Sequence, residues 1–557
     1  MKSYSPLWFI AALVMAMPAF NASAENHPVA IAAQPLPLSD VRLTGGPLQR
    51  AQELDAKYLL ELQPDRMLYY LRLRAGLTNK TDGGYGGWDG AGRQLTGHIA
   101  GHYLSAVSYM YAATGNPRFK ERADYIVSEL KEIQDKQGDG YLGALMANAP
   151  RAAGGPRNRS ELVNGKGRFA EITNGVIQSG GFDLNGMWSP WYVEHKIFAG
   201  LRDAYHYTGN PAALVVEIKF AAWVESIVGR LTEAQDQRML NTEFGGMNEV
   251  LADLYHDTGD PRWLAVSDKF EHKAIVDPLA AHNDILGGKH GNTQVPKMIG
   301  ELSRYIYTGN QTDGDAAKFF WEQVVFHHSY ATGGHGHNEY FDPPDQLNKD
   351  VDGRDDESCN VYNMLKMTRE LFALQPDIRY AEFMERALFN HVLGSMDPKD
   401  GRTCYMVPVG RGVTHEYQDM FDSFTCCVGT GMESHALHGD GIYYQSGDKL
   451  WVNFYTPSTA DWTNIGAKLT VETSFPEGES ASLKFTLKAS KKFTLAVRRP
   501  SWAGENFSVK LNGNALAKLP PPGSDGAHTS TPITSCRSSN RRATSRGRST
   551  STRTESG

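Results

Sequence analysis

The sequence predicts a mainly α fold: a closed α/α toroid of five or six helical hairpins, followed by a β-sandwich domain that stops short. Three observations predict it. One turn motif recurs four times between amphipathic helical stretches, and the hydrophobic period switches from helical to two near Lys449. The chain, 557 residues long, can hold one large core and a smaller second domain.

Residues 1–24 read as a cleaved secretory signal. Lys2 supplies positive charge, an apolar run extends from Leu7 through Met17, and Ala22-Ser23-Ala24 places small residues before Glu25. The run is too short for a membrane span, and no other stretch approaches that length. The expectation is an exported chain, periplasmic or extracellular, without stable membrane insertion. A formal net charge of −7 gives no overall pull toward nucleic acid.

Residues 25–447 form the expected barrel. The turn motif appears as Tyr111-Ala112-Ala113-Thr114-Gly115-Asn116-Pro117, then at Thr208-Gly209-Asn210-Pro211, Thr258-Gly259-Asp260-Pro261 and Thr308-Gly309-Asn310. The threonines stand 94, 50 and 50 residues apart, so the first interval is close to two of the others. Glycine ends one helix in a left-handed turn and proline starts the next. A further hairpin turns near Gln375-Pro376-Asp377. Five or six such hairpins predict a closed toroid whose loops gather at one mouth; an open solenoid is the competing arrangement.

Residues 448–519 read as a partial β-sandwich. Leu450 to Phe454, Lys468 to Val471 and Phe493 to Val497 alternate or run apolar with strand-forming residues. Residues 520–557 are rich in serine, threonine and arginine and hold Ile533 as the single large aliphatic residue. This tail is expected to be disordered. It reads as foreign to the fold, the product of a shifted reading frame.

Three stretches concentrate reactive groups: Gly333 to Phe341, Asp355 to Asn360, and Thr425 to Gly431. Glu357 and Cys359 are two apart and fall on one side of an extended segment. With Cys426 and Cys427 they make one carboxylate and three thiolates, enough for a tetrahedral zinc. Disulfides to separate partners and inert buried thiols compete with that reading. Glu339 is the candidate acid/base, in a glycine-rich loop after His335 and His337. A His-x-His metal site of the cupin kind is the alternative there. His98 and His102, His195, and His290 stand at helix starts ahead of the turns and are candidate substrate-binding groups.

The run Cys426-Cys427-Val428-Gly429-Thr430-Gly431-Met432-Glu433, the triplet Glu357-Ser358-Cys359 and the run His195 to Leu201 resemble the zinc-containing β-L-arabinofuranosidases of glycoside hydrolase families 127 and 146. The Cys-Cys-Val-Gly-Thr-Gly form is more similar to the latter. The resemblance covers residues 36 to 518 and implies an (α/α)6 barrel followed by sandwich material. It implies a Zn2+ held by Glu357, Cys359, Cys426 and Cys427, with Cys426 as nucleophile and Glu339 as general acid/base. It also implies that His290 contacts the sugar.

The implied reaction is retaining hydrolysis that releases L-arabinose from terminal β-L-arabinofuranosides of plant cell-wall glycans. An oligosaccharide or glycan is thus the expected partner. Two other classes compete: a non-catalytic glycan-binding protein with structural zinc, and a sugar epimerase or lyase on the same toroid.

Overall fold

A computed structural model of the chain describes residues 29–149, 161–349, 351–516, 519, 521–522 and 528–533, the last six as backbone. The expected signal segment and Cys536 lie outside these residues.

The recurring turn follows from its residues. Thr114, Thr208, Thr258 and Thr308 each end a helix and donate their hydroxyl to the carbonyl four residues back. The glycines that follow have φ between 70° and 74°, a left-handed conformation that a β-carbon disfavours. Asn116, Asn210, Asp260 and Asn310 then cap the next helix by accepting from the N–H two residues on. Pro117, Pro211 and Pro261 occupy the first turn, where no helical hydrogen bond is lost.

Twelve helices build the barrel: α1 Gly46–Glu61, α2 His98–Thr114, α3 Pro117–Gln137, α4 Pro190–Thr208, α5 Pro211–Val228, α6 Met247–Thr258, α7 Pro261–Asp268, α8 Gly291–Thr308, α9 Gln311–Gln323, α10 Ser358–Leu374, α11 Ile378–Ala387 and α12 Cys426–Ala436. The even-numbered helices pack in sequence, and α12 returns to pack on α2, so the inner ring closes. The odd-numbered helices form the outer layer, with α1 outside α12. The chain is therefore an (α/α)6 barrel, not an open solenoid. Where α2 and α4 meet, Gly101 admits the α4 backbone; a β-carbon there would stand 2.2 Å from the Lys196 carbonyl oxygen.

Burial separates the two layers. Fifteen of the 17 residues of α2 are buried, against eight of the 21 of α3. An outer helix keeps a solvent face, whereas an inner helix is covered all round and must pair its polar side chains internally.

The β domain draws on both ends of the chain. Its strands are β1 Gln34–Pro35, β2 Val41–Leu43, β3 Tyr443–Ser446, β4 Lys449–Val452, β5 Ser458–Trp462, β6 Ala467–Thr473, β7 Ala481–Leu487, β8 Phe493–Arg498 and β9 His528–Ile533. One sheet runs β1-β3-β4-β8-β9, with β4 and β8 parallel and the other pairs antiparallel; the second runs β7-β6-β5-β2. Leu450, Trp462, Leu469 and Phe493 join one apolar core with α8 to α11. The fully buried Arg498 fastens sandwich to barrel through ion pairs with Glu382 and Glu385 and a 2.7 Å hydrogen bond to the Asn453 carbonyl.

Two expectations are corrected here. Residues 34–35, 41–43 and 443–446, expected within the barrel, belong to the sheets. Their backbone groups complete ladders that the strands after residue 448 leave open. The tail, expected to be without structure from residue 520, carries β9, whose backbone pairs with β8 from Phe493↔Ile533 to Arg498↔His528. Strand-forming threonines and an open sheet edge are sufficient for that pairing. Residues 534–557 lie outside the description.

Candidate active site

Residues at or just ahead of the starts of the inner helices, from Leu95 before α2 to Cys426 on α12, line a cavity of about 410 Å³. Left-handed backbone precedes several of them: Gly97 at φ 107°, Ser189 at 39°, Asp356 at 58° and Phe424 at 39°. These bends turn the first helical residues inward. Tyr192 enters from α4, Asn292 from α8 and Cys426 from α12; His290 and Glu357 enter as the N-caps of α8 and α10. A small sheet with strands at 146–148, 162–164 and within 179–188 brings Phe182 and Trp188 to the rim, and Trp88 stands 5.0 Å from Trp188, ring to ring.

At the cavity floor, ligand atoms of Glu357, Cys359, Cys426 and Cys427 all lie within 4.8 Å of one another, and the four side chains are buried. Cys359, Cys404, Cys426 and Cys427 are free thiols. The Cys359–Cys427 separation of 3.2 Å is well beyond a disulfide bond.

The donor set fits a zinc ion. Tetrahedral zinc–sulfur bonds of about 2.3 Å put neighbouring ligand atoms about 3.8 Å apart. The Cys426–Cys427 separation is 3.9 Å, and each of these sulfurs is 3.8 Å from Glu357 Oε1. Glu357 Oε2 is buried without a hydrogen-bond partner, a costly state that a cation relieves.

Electrostatics single out one sulfur. Burial pushes Cys359, Cys427 and Glu357 well above their ordinary ranges. Hydrogen bonds from Cys359 and Cys427 hold Cys426 well below the usual thiol range, against the cost of its own burial. Cys426 is also the first residue of α12, where unpaired N–H groups and the helix dipole favour a thiolate. Thr425 caps that helix by accepting from the Val428 N–H.

Glu339 stands on the cavity wall with φ 73°, a strained setting for a non-glycine residue. Tyr405 donates to its Oε1 at 2.6 Å, and His290 Nε2 lies 3.4 Å from its Oε2. Burial raises Glu339, but hydrogen bonds from His290 and Tyr405 outweigh it and hold the carboxyl below its usual range. His290 is raised in return; Glu339 and Glu243 outweigh its burial.

The structure thus gathers Cys426, Glu339, His290, Glu357, Cys359 and Cys427 at one site. Three expected substrate contacts are corrected. His98 and His102 are fully buried beneath the cavity wall, where both face the Tyr192 hydroxyl, at 3.3 and 3.1 Å. His195 packs its ring against Gly245 and Gly246, whose missing β-carbons make room for it. None of the three lines the cavity.

Sequence reasoning missed Glu243, Tyr192, Tyr405 and the tryptophan pair. Glu243 lies four residues ahead of α6 in Asn241-Thr242-Glu243-Phe244-Gly245-Gly246, whereas His290 is the N-cap of α8, so no common helix position marked it in the sequence.

Comparison with known proteins identifies the family. The family model described as "Beta-L-arabinofuranosidase, GH127 catalytic domain" matches residues 40–440, and the GH127 middle-domain model matches residues 449–524. A non-reducing end β-L-arabinofuranosidase of Bifidobacterium longum subsp. longum is 25% identical over 464 residues, covering 74% of this chain. The chain spans 65% of that relative's length. A solved GH127 β-L-arabinofuranosidase from Geobacillus stearothermophilus T6 superposes with a TM-score of 0.65 at 19% identity, covering 89% of this chain and 80% of that one. A second structure, described as a GH127 β-arabinofuranosidase, gives a TM-score of 0.67 at 18% identity, covering 91% and 79%. These two likenesses show the fold.

Proposed function

Because the chain belongs to the GH127 β-L-arabinofuranosidase family, we propose that it is a retaining exo-glycosidase that releases L-arabinose from terminal β-L-arabinofuranosides. One observation carries the reading. A carboxylate and three sulfurs, from two helix starts far apart in the chain, meet on the floor of a cavity walled by Glu339.

Glu357, Cys359, Cys426 and Cys427 would hold a zinc ion, which when bound keeps a coordinating cysteine as thiolate at neutral pH. Cys426 sulfur attacks the anomeric carbon as the bond to the leaving oxygen breaks, and Glu339 delivers its proton to that oxygen. A thioglycoside to Cys426 results. Glu339, now ionised, takes a proton from water as the water oxygen displaces the sulfur and frees L-arabinose. Two inversions leave the anomeric configuration retained. A cysteine here replaces the second carboxylate that most retaining glycosidases use.

The substrates proposed are arabinofuranose-bearing plant cell-wall glycans, from pectin or hydroxyproline-rich protein. Export follows from the Lys2-to-Ala24 pattern, and N-terminal sequencing of the mature chain should begin at Glu25. No helix among the described residues is long and apolar enough to cross a membrane. Metal analysis combined with a panel of β-L-arabinofuranosyl substrates tests the activity. The expected result is one zinc per chain and release of L-arabinose; a metal-free protein that cleaves none of the panel would refute it.

A further inference from the structure

We propose that His102 and Glu433 are positioning residues for the nucleophile: with Tyr192 and His98 they form a one-way hydrogen-bond chain that ends on the Phe424 carbonyl and sets the turn carrying Cys426. The proposal rests on the reading of Cys426 as nucleophile.

The chain can be followed atom by atom. His98 Nε2 lies 3.1 Å from the Phe424 carbonyl oxygen, which can only accept, so Nε2 carries the hydrogen. His98 Nδ1 is then bare and takes the hydrogen of the Tyr192 hydroxyl at 3.3 Å. That hydroxyl has no second hydrogen to give. His102 Nε2, 3.1 Å from the same oxygen, must therefore donate to it. His102 Nδ1 meets Glu433 Oε1 at 2.5 Å, and Tyr362 donates its hydroxyl to Glu433 Oε2.

Counting hydrogens fixes the state of the pair. One hydrogen lies between Glu433 Oε1 and His102 Nδ1, and another lies on His102 Nε2. The direction of the chain is the same whether the first sits on oxygen or nitrogen. Removing one proton would leave His102 Nε2 and His98 Nδ1 as two bare nitrogens facing a single Tyr192 hydrogen. Burial of all four groups makes such an unmade bond costly. Burial also holds Glu433 above its usual range, against the pull of Lys196. Gly429 leaves room for this arrangement; a β-carbon there would meet the His102 ring at 2.4 Å.

The end point gives the chain its purpose. Phe424 is fully buried with φ 39°, a conformation that persists only where the surroundings impose it. It stands two residues before Cys426. Holding its carbonyl fixes the direction in which α12 starts and so the aim of the Cys426 sulfur.

The test uses the full-length, zinc-loaded chain and two readouts: kcat and KM on a β-L-arabinofuranosyl substrate, and the rate at which iodoacetamide alkylates Cys426, followed by peptide mass spectrometry. In Glu433→Gln the amide donates to His102 and its carbonyl accepts from Tyr362, so the chain survives. Its kcat and alkylation rate should stay within about 2-fold of wild type. Glu433→Leu breaks the chain; kcat should fall roughly 10- to 100-fold with little change in KM and with zinc retained, and alkylation should change several-fold. Tyr192→Phe, which deletes only the shared hydroxyl, should alter alkylation in the same direction if the leucine variant fails to fold. Chain-breaking variants that match wild type in both readouts, or a glutamine variant as impaired as leucine, would overturn the proposal. A wild-type protein without glycosidase activity would instead count against the assigned function, and the alkylation comparison would still decide this one.

Discussion

The Tyr405 hydroxyl donates to Glu339 at 2.6 Å, and the same oxygen lies 3.6 Å from the Cys426 sulfur. One phenol thus touches both proposed catalytic groups. Tyr405 and His290 together hold the Glu339 carboxyl below its usual range against burial. The acid step needs Glu339 protonated, so kcat/KM should fall as pH rises through its pKa. Tyr405→Phe removes one of the two restraints, which raises that pKa and moves the fall to higher pH. The maximum should drop by about 10-fold, the worth of a hydrogen bond to a charged group. Paired pH–rate profiles check both; a fall that moves to lower pH would contradict the assignment.

Cys426→Ser should lower turnover by at least about 1000-fold, because an alcohol neither ionises nor attacks as a thiolate does. Serine is close to cysteine in size and Thr425 still caps α12, so circular dichroism should keep the helical signal. Rates near wild type would remove Cys426 as the nucleophile.

The turns of the barrel were legible because their chemistry is local. Thr-Gly-Asn-Pro specifies a hydroxyl bond, a left-handed glycine, a cap and a helix start within four residues. The reactive stretches were legible for a similar reason: a carboxylate is rare in a core unless paired or bound to metal, and two adjacent cysteines rarely bridge each other. His98, His102 and His195 were misplaced because an inner helix of a closed ring has no solvent stripe to show which face is which. Tyr192, Tyr405 and Glu243 gain their roles from neighbours far away in sequence, which no local pattern carries. β9 was missed because its strand-forming threonines find a partner only at the open edge of β8, which is distant in sequence.

The turns can be probed away from the mouth. Asn116→Ala removes the cap of α3 and should cost about 1 kcal/mol of stability. Gly259→Ala forces a β-carbon into φ 70° and should cost about as much. Both lie at the far ends of inner helices, so kcat should be unchanged while denaturant midpoints fall. A loss of kcat at unchanged stability would mean that these turns communicate with the cavity.

Removing the metal should couple activity to stability. A strong chelator should abolish turnover and lower the unfolding temperature, since a ligand at 100 times its dissociation constant contributes about 2.7 kcal/mol to the folded state. Zinc should restore both, and magnesium or calcium neither, because three sulfurs and one carboxylate suit a soft cation. Full activity in chelated protein verified free of metal would refute the zinc reading while leaving the thiol site intact.

Glu339→Gln separates the two half-reactions. The amide keeps an acceptor for Tyr405 but cannot give a proton to the leaving oxygen. Substrates with poor leaving groups, such as arabinofuranosyl sugars or hydroxyproline glycosides, should lose about 100- to 10,000-fold in kcat/KM. An aryl glycoside with an acidic phenol leaves without protonation, so formation of the thioglycoside to Cys426 should be nearly unaffected. Release from that thioglycoside still needs a base, so the intermediate should accumulate and appear as a burst of phenol followed by slow turnover. Added azide, which needs no base, should relieve the second step and raise the steady rate. Equal losses on aryl and sugar leaving groups, with no burst and no azide effect, would assign Glu339 to binding and send the search for the acid to Glu243 across the cavity.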